Sequence, residues 1–244
     1  MSYKTGLVSI SFRNHSPEEI LNAMKNAGLT HIEWGSDVHC VPEKAQEIAS
    51  LTKKYGITCS SYGTYFKIGI TPTEEIYEYI NAAKTLGTNI LRLWCGNKNS
   101  EDYTRSEKQA LFDECKRLEK IARANGVILC MECHNKTYTN SIQSALELMK
   151  EINSPHFQMY WQPNQFKSEK ENLEYASEIA KYTHVIHVFN WEGNEKYPLC
   201  DAVGLWKKYL EKFDKSQPLL LEFMPDGRLE SLKTEADALR EIIK

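Results

Sequence analysis

The sequence predicts an α/β fold, a single (β/α)8 TIM barrel of eight parallel strands with its active site at the C-terminal strand ends. Eight short apolar segments are each followed by a longer segment of helical periodicity. Because parallel strands need a crossover connection, this alternation indicates a parallel sheet, and eight units favour closure. The 244 residues allow about 30 per unit, so residues 1–244 are predicted to form one domain. A doubly wound open sheet is the alternative, but the segment after the first strand, 12–19, lacks the glycine-rich phosphate loop of that fold.

In the first half of the chain, strands are predicted at 6–12, 31–34, 57–62 and 89–94. Ser16, Pro17 and Glu19 have the pattern of a helix N-terminus, with a capping serine, a proline at the first position and a glutamate at the third. Gly28 suits the left-handed position that ends this helix. The next three helices are predicted to begin near Pro42, Thr71 and Thr104 and to stop at Gly56, Gly87 and Gly126.

The second half repeats the scheme. Its strands are predicted at 127–132, 157–161, 183–189 and 218–223. Three of its helices are predicted at 141–152, 203–213 and 229–243. The remaining helix is predicted to begin near Ser168 and Glu171.

Composition excludes several classes of protein. Lys and Arg total 30 against 33 Asp and Glu, and this balance disfavours nucleic-acid and acidic-membrane binders, which need clustered cations. No apolar run approaches the length of a membrane span, and the N-terminus does not have the pattern of a signal peptide. Seven irregularly spaced cysteines indicate reduced thiols and a cytoplasmic protein. A homo-oligomer is compatible with this composition.

Polar residues lie near the ends of six predicted strands, where a barrel carries its function: Glu33, Arg92, Glu132, Gln162, His187 and Glu222. The two-residue period of a strand puts Cys130 and Glu132 on one face and Cys133 on the other. This arrangement disfavours a zinc or redox site formed by Cys130 and Cys133.

Four of these residues lie at or near the ends of predicted strands five to eight, which are neighbours in a barrel. Two carboxylates, an amide oxygen and an imidazole suit Mn²⁺, Mg²⁺, Co²⁺ or Zn²⁺. We therefore predict a divalent metal site, with no organic cofactor, formed by Glu132, Gln162, His187 and Glu222. The alternatives are a hydrogen-bonded polar cluster without metal and, for either glutamate alone, a structural ion pair.

At these residues the chain resembles the xylose-isomerase-like TIM barrel superfamily, in the branch of the sugar phosphate isomerases/epimerases. The matching pieces follow one another at near-even spacing along the whole chain: EWGSDVH at 33–39, SYGTYFKIG at 61–69, RLWCG at 92–96, MECHN at 131–135, WQPNQ at 161–165, HVFNW at 187–191 and LEF at 221–223. The resemblance implies that Glu132 and Glu222 bind the metal and flank the reacting carbons, and that His187 is a metal ligand.

The sequence also departs from the family pattern. Gln162 stands where most members have a metal-binding aspartate, and Gln165 stands where the same pattern has a histidine. Phe189 and Asn190 replace the usual Lys-Asp that follows the strand-seven histidine. With a neutral amide in place of a carboxylate, we expect a lower metal affinity.

The resemblance implies proton transfer next to a carbonyl of a sugar, a keto-sugar or a cyclitol, phosphorylated or not. A divalent cation stabilises the enediolate, while Glu132 and Glu222 remove and return the proton. Other side chains near the strand ends are expected to contact this small carbohydrate substrate: Glu33, His39, Tyr62, Arg92, His134, Gln165 and Trp191.

Three other functions remain as alternatives to an isomerase or epimerase. A dehydratase or other lyase acting on a keto-sugar or inosose uses the same first step. An abasic-site endonuclease of the superfamily needs more ligands than seven His supply, and no basic face is apparent. A non-catalytic sugar-binding barrel is the third alternative, suggested by Gln162.

Overall fold

The structure is a computed structural model that describes residues 3–244. Its barrel strands, numbered in chain order, are β1 (Lys4–Val8), β2 (His31–Gly35), β3 (Thr58–Ile68), β4 (Ile90–Cys95), β5 (Ile128–Met131), β6 (Phe157–Trp161), β7 (Thr183–Val188) and β8 (Pro218–Leu221). All neighbours pair in parallel, and the sheet closes because β1 pairs with both β2 and β8. The predicted (β/α)8 barrel is confirmed.

Eight α-helices alternate with the strands in the described residues: α1 (Pro17–Ala27), α2 (Ala45–Lys54), α3 (Ile76–Leu86), α4 (Arg105–Asn125), α5 (Ile142–Ile152), α6 (Glu169–Ile179), α7 (Val203–Leu210) and α8 (Leu232–Ile242). A short hairpin, Trp191–Glu192 with Glu195–Lys196, lies between β7 and α7. No helix within residues 3–244 is long and apolar enough to cross a membrane.

The predicted helix caps are largely confirmed. Ser16, Thr104 and Ser168 each accept a hydrogen bond from the backbone of a glutamate three residues later, and each glutamate bonds back. These capping boxes satisfy backbone N–H groups that have no partner within the helix. The start predicted at Thr71 is wrong: α3 begins at Ile76, because the Thr71 hydroxyl accepts a hydrogen bond from the Lys67 N–H instead.

Two strand boundaries differ from the prediction. The first strand ends at Val8 instead of residue 12, and the chain then turns through a 3-10 segment, Ser9–Phe12. The Ser9 hydroxyl accepts a hydrogen bond from the Gly35 N–H, which binds this turn to the end of β2. In contrast, β3 continues past residue 62 to Ile68 through a shift in its register with β4.

The apolar core has two layers. An inner layer fills the barrel, and its buried members are Val8, Ile10, Cys130, Tyr160, Val185 and Leu220. A larger outer layer lies between strands and helices and contains Cys133. The predicted opposite facing of Cys130 and Cys133 is therefore confirmed. The seven cysteines are free, and only Cys200 is exposed.

Candidate metal centre

The four predicted metal ligands meet at the carboxyl ends of β5 to β8. Glu132, Gln162 and Glu222 each follow the last residue of a strand, while His187 lies within β7. The His187 Nδ1 atom is 3.5 Å from Glu222 Oε2 and 3.8 Å from Glu132 Oε1. The same nitrogen is 3.0 Å from the amide oxygen of Gln162. One imidazole nitrogen thus faces three oxygen atoms that could bind a metal, each from a different strand end.

This donor set fits a divalent cation. One ligand atom from each of Glu132, His187 and Glu222 lies within 4.8 Å of the others, and all three residues are buried. Metal–ligand bonds of about 2.0–2.2 Å require ligand atoms separated by about 3–4 Å, which is close to the spacing of these atoms. The residues therefore suit Mg²⁺, Mn²⁺, Co²⁺ or Zn²⁺ by spacing and by chemistry.

The charges of the site also fit a divalent cation. Glu33 and Arg92 are buried beside the cluster, so the site contains three carboxylates and one guanidinium. With a neutral imidazole, two negative charges remain without compensation. Buried charge is costly unless it is paired, and a divalent cation supplies the two missing positive charges.

Glu33 faces the opposite side of the histidine ring. Its Oε2 atom is 3.6 Å from His187 Nε2 and accepts hydrogen bonds from the hydroxyls of Ser61 and Tyr160, at 2.9 and 2.7 Å. Burial raises the pKa of Glu33, but the charges of Arg92 and His187 outweigh it and lower the pKa to about 2. Glu33 is therefore an ionised partner of His187 beneath the predicted metal ligands.

The histidine has a correspondingly high basicity. Burial alone lowers the pKa of His187, but the carboxylates of Glu222 and Glu33 outweigh it and raise the pKa to about 10. Without a bound cation, the imidazolium supplies part of the positive charge that the carboxylates require.

The two glutamates that are predicted to be catalytic, Glu132 and Glu222, differ in their surroundings. Glu132 Oε2 accepts a 2.6 Å hydrogen bond from the Trp94 indole N–H, and Glu132 Oε1 lies 3.3 Å from Arg92 Nη1. Glu222 lies beside His187 Nδ1, and no other residue between 3 and 244 donates a hydrogen bond to its carboxylate. Glu132 is thus fixed in orientation, while the Glu222 carboxylate has fewer hydrogen-bond partners among the described residues.

Three predicted substrate contacts lie in the connections that follow β5, β6 and β7, at the same end of the barrel. The half-buried His134 ring stacks on Trp94, with centroids 5.0 Å apart and planes inclined by 14°. The Trp191 ring lies 5.3 Å from that of Phe223, which directly follows Glu222. Gln165 lies in the loop after β6, and its backbone carbonyl accepts a hydrogen bond from the Gly193 N–H of the hairpin.

The structure corrects the predicted substrate contacts of Tyr62 and His39. Tyr62 points outward because Ser61 lies on the inner face of β3. The Tyr62 hydroxyl donates a hydrogen bond to the Cys40 carbonyl. Both ring nitrogens of His39 have partners, the Ser9 hydroxyl at 3.1 Å and the His15 carbonyl at 3.2 Å. Neither side chain is therefore available to a substrate.

Glu33 and Arg92, two of the predicted substrate contacts, lie beside the predicted metal ligands. Both are buried, and Arg92 lies between Glu132 and Glu33. Sequence reasoning missed Ser61 and Tyr160, which hold Glu33. The two-residue period of β6 could have identified Tyr160, because it shares a face with Gln162.

The chain has relatives among known proteins. A sequence profile described as xylose isomerase-like TIM barrel matches residues 21–242. A 3-dehydroshikimate dehydratase from Bacillus anthracis is 25% identical over 174 residues, which are 64% of this chain and 60% of that protein. The chain thus matches less than two thirds of the length of this relative.

Solved structures give the same fold. The probable 3-DHS dehydratase from Bacillus anthracis has a TM-score of 0.82 at 17% identity, covering 98% of this chain and 99% of that chain. A structure of IOLI protein with a bound zinc atom has a TM-score of 0.77 at 16% identity, covering 98% of each chain. The family match confirms the resemblance, and the sequence relative named above is an enzyme. The chain belongs to the xylose isomerase-like TIM barrel family.

Proposed function

We propose that the protein is a divalent-metal-dependent isomerase or epimerase of a sugar, a keto-sugar or a cyclitol. The observation that carries this proposal is the convergence of Glu132, Gln162 and Glu222 on one nitrogen of His187. These four residues would hold the cation. When bound, it supplies the positive charge that stabilises the developing negative charge on the substrate oxygens.

Glu132 and Glu222 have different roles in this proposal. Because Trp94 and Arg92 hold Glu132 in one orientation, Glu132 serves mainly to bind and position. Glu222 has fewer hydrogen-bond donors around it, so its carboxylate is the better candidate to remove the proton next to the carbonyl. Return of a proton to the same carbon from the other face gives an epimer, and return to the neighbouring carbon gives an isomer.

A small polyhydroxylated substrate suits the surrounding loops. The stacked rings of Trp94 and His134 and the ring of Trp191 offer flat surfaces for the C–H faces of a sugar. The imidazole of His134 and the amide of Gln165 supply polar groups for hydroxyls in the same loops.

A dehydratase is the second candidate, favoured by the 25% identity to a 3-dehydroshikimate dehydratase. Glu222 would perform the same proton removal, but a hydroxyl on the adjacent carbon would then leave as water. Proton removal by Glu222 is common to both reactions, so the product distinguishes them.

One experiment in D₂O tests the proposal. The purified protein, with Mn²⁺, Mg²⁺, Co²⁺ or Zn²⁺ added, is incubated with a panel of ketoses, inososes and 3-dehydroshikimate, and the products are analysed by mass spectrometry. An isomerase or epimerase gives products that contain one deuterium, whereas a dehydratase gives products that have lost water. Unchanged compounds with every metal would contradict both candidates.

The role of Glu222 is tested in the same assay. We expect Glu222→Gln to lower the rate by about 10²-fold or more, because an amide cannot accept the proton. Glu174→Gln, on the exposed surface of α6, is the matched control and is expected to be fully active. An active Glu222→Gln variant would rule out this carboxylate as the base.

A further inference from the structure

Lys67 is a cation without a counter-charge at the mouth of the barrel. It is half-buried near the end of β3, and its Nζ atom lies 5.1 Å from the centre of the Trp94 ring. Among residues 3–244, no carboxylate oxygen lies within the 4.0 Å ion-pair distance of this ammonium. The Lys67 ammonium therefore has no ion-pair partner among the described residues and can bind an anion from outside the chain.

The fold fixes Lys67 in place and aims it at the mouth. Alternation along β3 sends Phe66 outward, where its ring contacts Tyr79 of α3, and sends Lys67 to the opposite face. The Lys67 N–H donates to the Thr71 hydroxyl at 3.0 Å, and its carbonyl accepts from the N–H groups of Ile70 and Thr71. Its backbone is therefore ordered before any ligand arrives.

The neighbouring arginines already have partners. Arg13 forms a 2.6 Å ion pair with Asp37, and buried Arg92 lies between Glu132 and Glu33 at 3.3 and 3.5 Å. The Trp94 ring beneath Lys67 donates its N–H to Glu132. Lys67 is thus one indole ring away from a metal-site carboxylate, and its charge is still available.

We infer that Lys67 binds an anionic substituent, a carboxylate or a phosphate, of the substrate whose carbonyl end is processed beside Glu132 and Glu222. This inference rests on the proposed function and specifies its substrate class as acidic or phosphorylated polyhydroxy carbonyl compounds. With the anion at Lys67, the rest of a hexose-sized molecule extends across Trp94 towards the glutamates. Charge-assisted hydrogen bonding then selects charged over neutral substrates.

Two matched ligand pairs test this inference by calorimetry on the Mn²⁺-loaded protein. The carboxylate pair is 3-dehydroshikimate and its methyl ester, and the phosphate pair is D-fructose 6-phosphate and D-fructose. We expect the charged member of one pair to bind about tenfold or more tightly than its neutral partner. The pair that shows this preference identifies the anion as a carboxylate or a phosphate.

Variants assign the preference to Lys67. Lys67→Met is expected to weaken binding of the charged member about tenfold and to leave the neutral member unchanged, whereas Lys67→Arg retains the preference. Lys181→Met is the matched control, because the Lys181 ammonium lies 4.9 Å from the Tyr182 ring just before β7, at the other end of the barrel. This variant is expected to bind all four ligands like the wild type.

The outcomes separate this inference from the proposed function. Equal binding or turnover of charged and neutral members, or a preference that persists in Lys67→Met, overturns the inference and leaves the metal-dependent reaction standing. If none of the four ligands binds, the inference fails. If the D₂O panel is also unchanged with every metal, the proposed function fails as well.

Discussion

The two ring nitrogens of His187 face different partners, and this difference organises the site. Nδ1 faces the oxygens of Glu132, Gln162 and Glu222, while Nε2 lies 3.6 Å from Glu33. With a metal at Nδ1, Nε2 would carry the proton and would face the Glu33 carboxylate at this distance. A carboxylate in this position fixes the tautomer and strengthens the ring as a ligand.

We predict that Glu33→Gln weakens metal binding about 10–100-fold, because an amide supplies no negative charge to the His187 ring. The measurement is a competition titration against a chromophoric chelator. Near-UV circular dichroism checks that the barrel is intact, and Glu174→Gln, far from the site on α6, is the control. An unchanged affinity in a folded Glu33→Gln protein would contradict this role.

Metal binding is also predicted to release a proton from His187. The pKa of the free histidine, raised to about 10, keeps it protonated at pH 7, but a ligand nitrogen must be neutral. One proton therefore leaves for each ion bound at pH 7, and metal affinity rises about tenfold per pH unit until the pH approaches the pKa. Calorimetry in buffers of different ionisation enthalpy measures this proton, and a value of zero at pH 7 would contradict the prediction.

At the scale of the element, strand ends position the site and helix caps fix the loops. In β4, Arg92 and Trp94 share the inner face and both reach Glu132, while Cys95 faces Cys115 of α4. The loop after β4 leads into α4, and the capping box of Thr104 and Glu107 fixes the residue at which α4 begins.

We predict that Thr104→Ala lowers the free energy of unfolding by about 1 kcal/mol, because the Glu107 N–H at the start of α4 loses the hydroxyl that accepts its hydrogen bond. Urea denaturation should show a lower midpoint with an unchanged slope. Thr85→Ala, at an exposed position inside α3, is the control and should cost little or nothing. Equal effects of the two substitutions would contradict the importance of the cap.

At the scale of the whole molecule, the barrel closes through its first and last strands. The backbone of β1 pairs with β8 over Lys4–Leu7, opposite Pro218–Leu221, and also pairs with β2. The inner apolar layer spans this junction, since Val8 from β1 and Leu220 from β8 both belong to it. Closure therefore depends on residues more than 200 positions apart in the chain.

Removal of residues 218–244 is predicted to abolish cooperative unfolding. Without β8 and α8, the edges of β1 and β7 lose their hydrogen-bond partners and the inner layer is exposed to water. Near-UV circular dichroism and thermal melting measure the loss, with the full chain as the reference. A sharp melting transition in the shortened chain would show that seven units suffice.

Candidate site residues could be identified from the sequence where a single strand carries the signal. Glu132 and Glu222 interrupt apolar runs, and the two-residue period assigns their inward face, so both could be identified without a structure. His39 and Tyr62 were assigned wrongly because their partners, Ser9 and Cys40, lie far away in the chain. No local pattern reveals whether a histidine or a tyrosine already has a hydrogen-bond partner.

By itself, the sequence determined the number of strand–helix units, the capped helix starts such as Ser16 and the opposite facing of Cys130 and Cys133 on β5. These features depend on neighbours within a few residues, where the periods of helix and strand apply. Only the tertiary structure decided that Glu33 faces His187 and that Lys67 lies over Trp94 without a counter-charge. Such contacts depend on the register between strands and on the irregularity in β3, which are set by packing of the whole barrel.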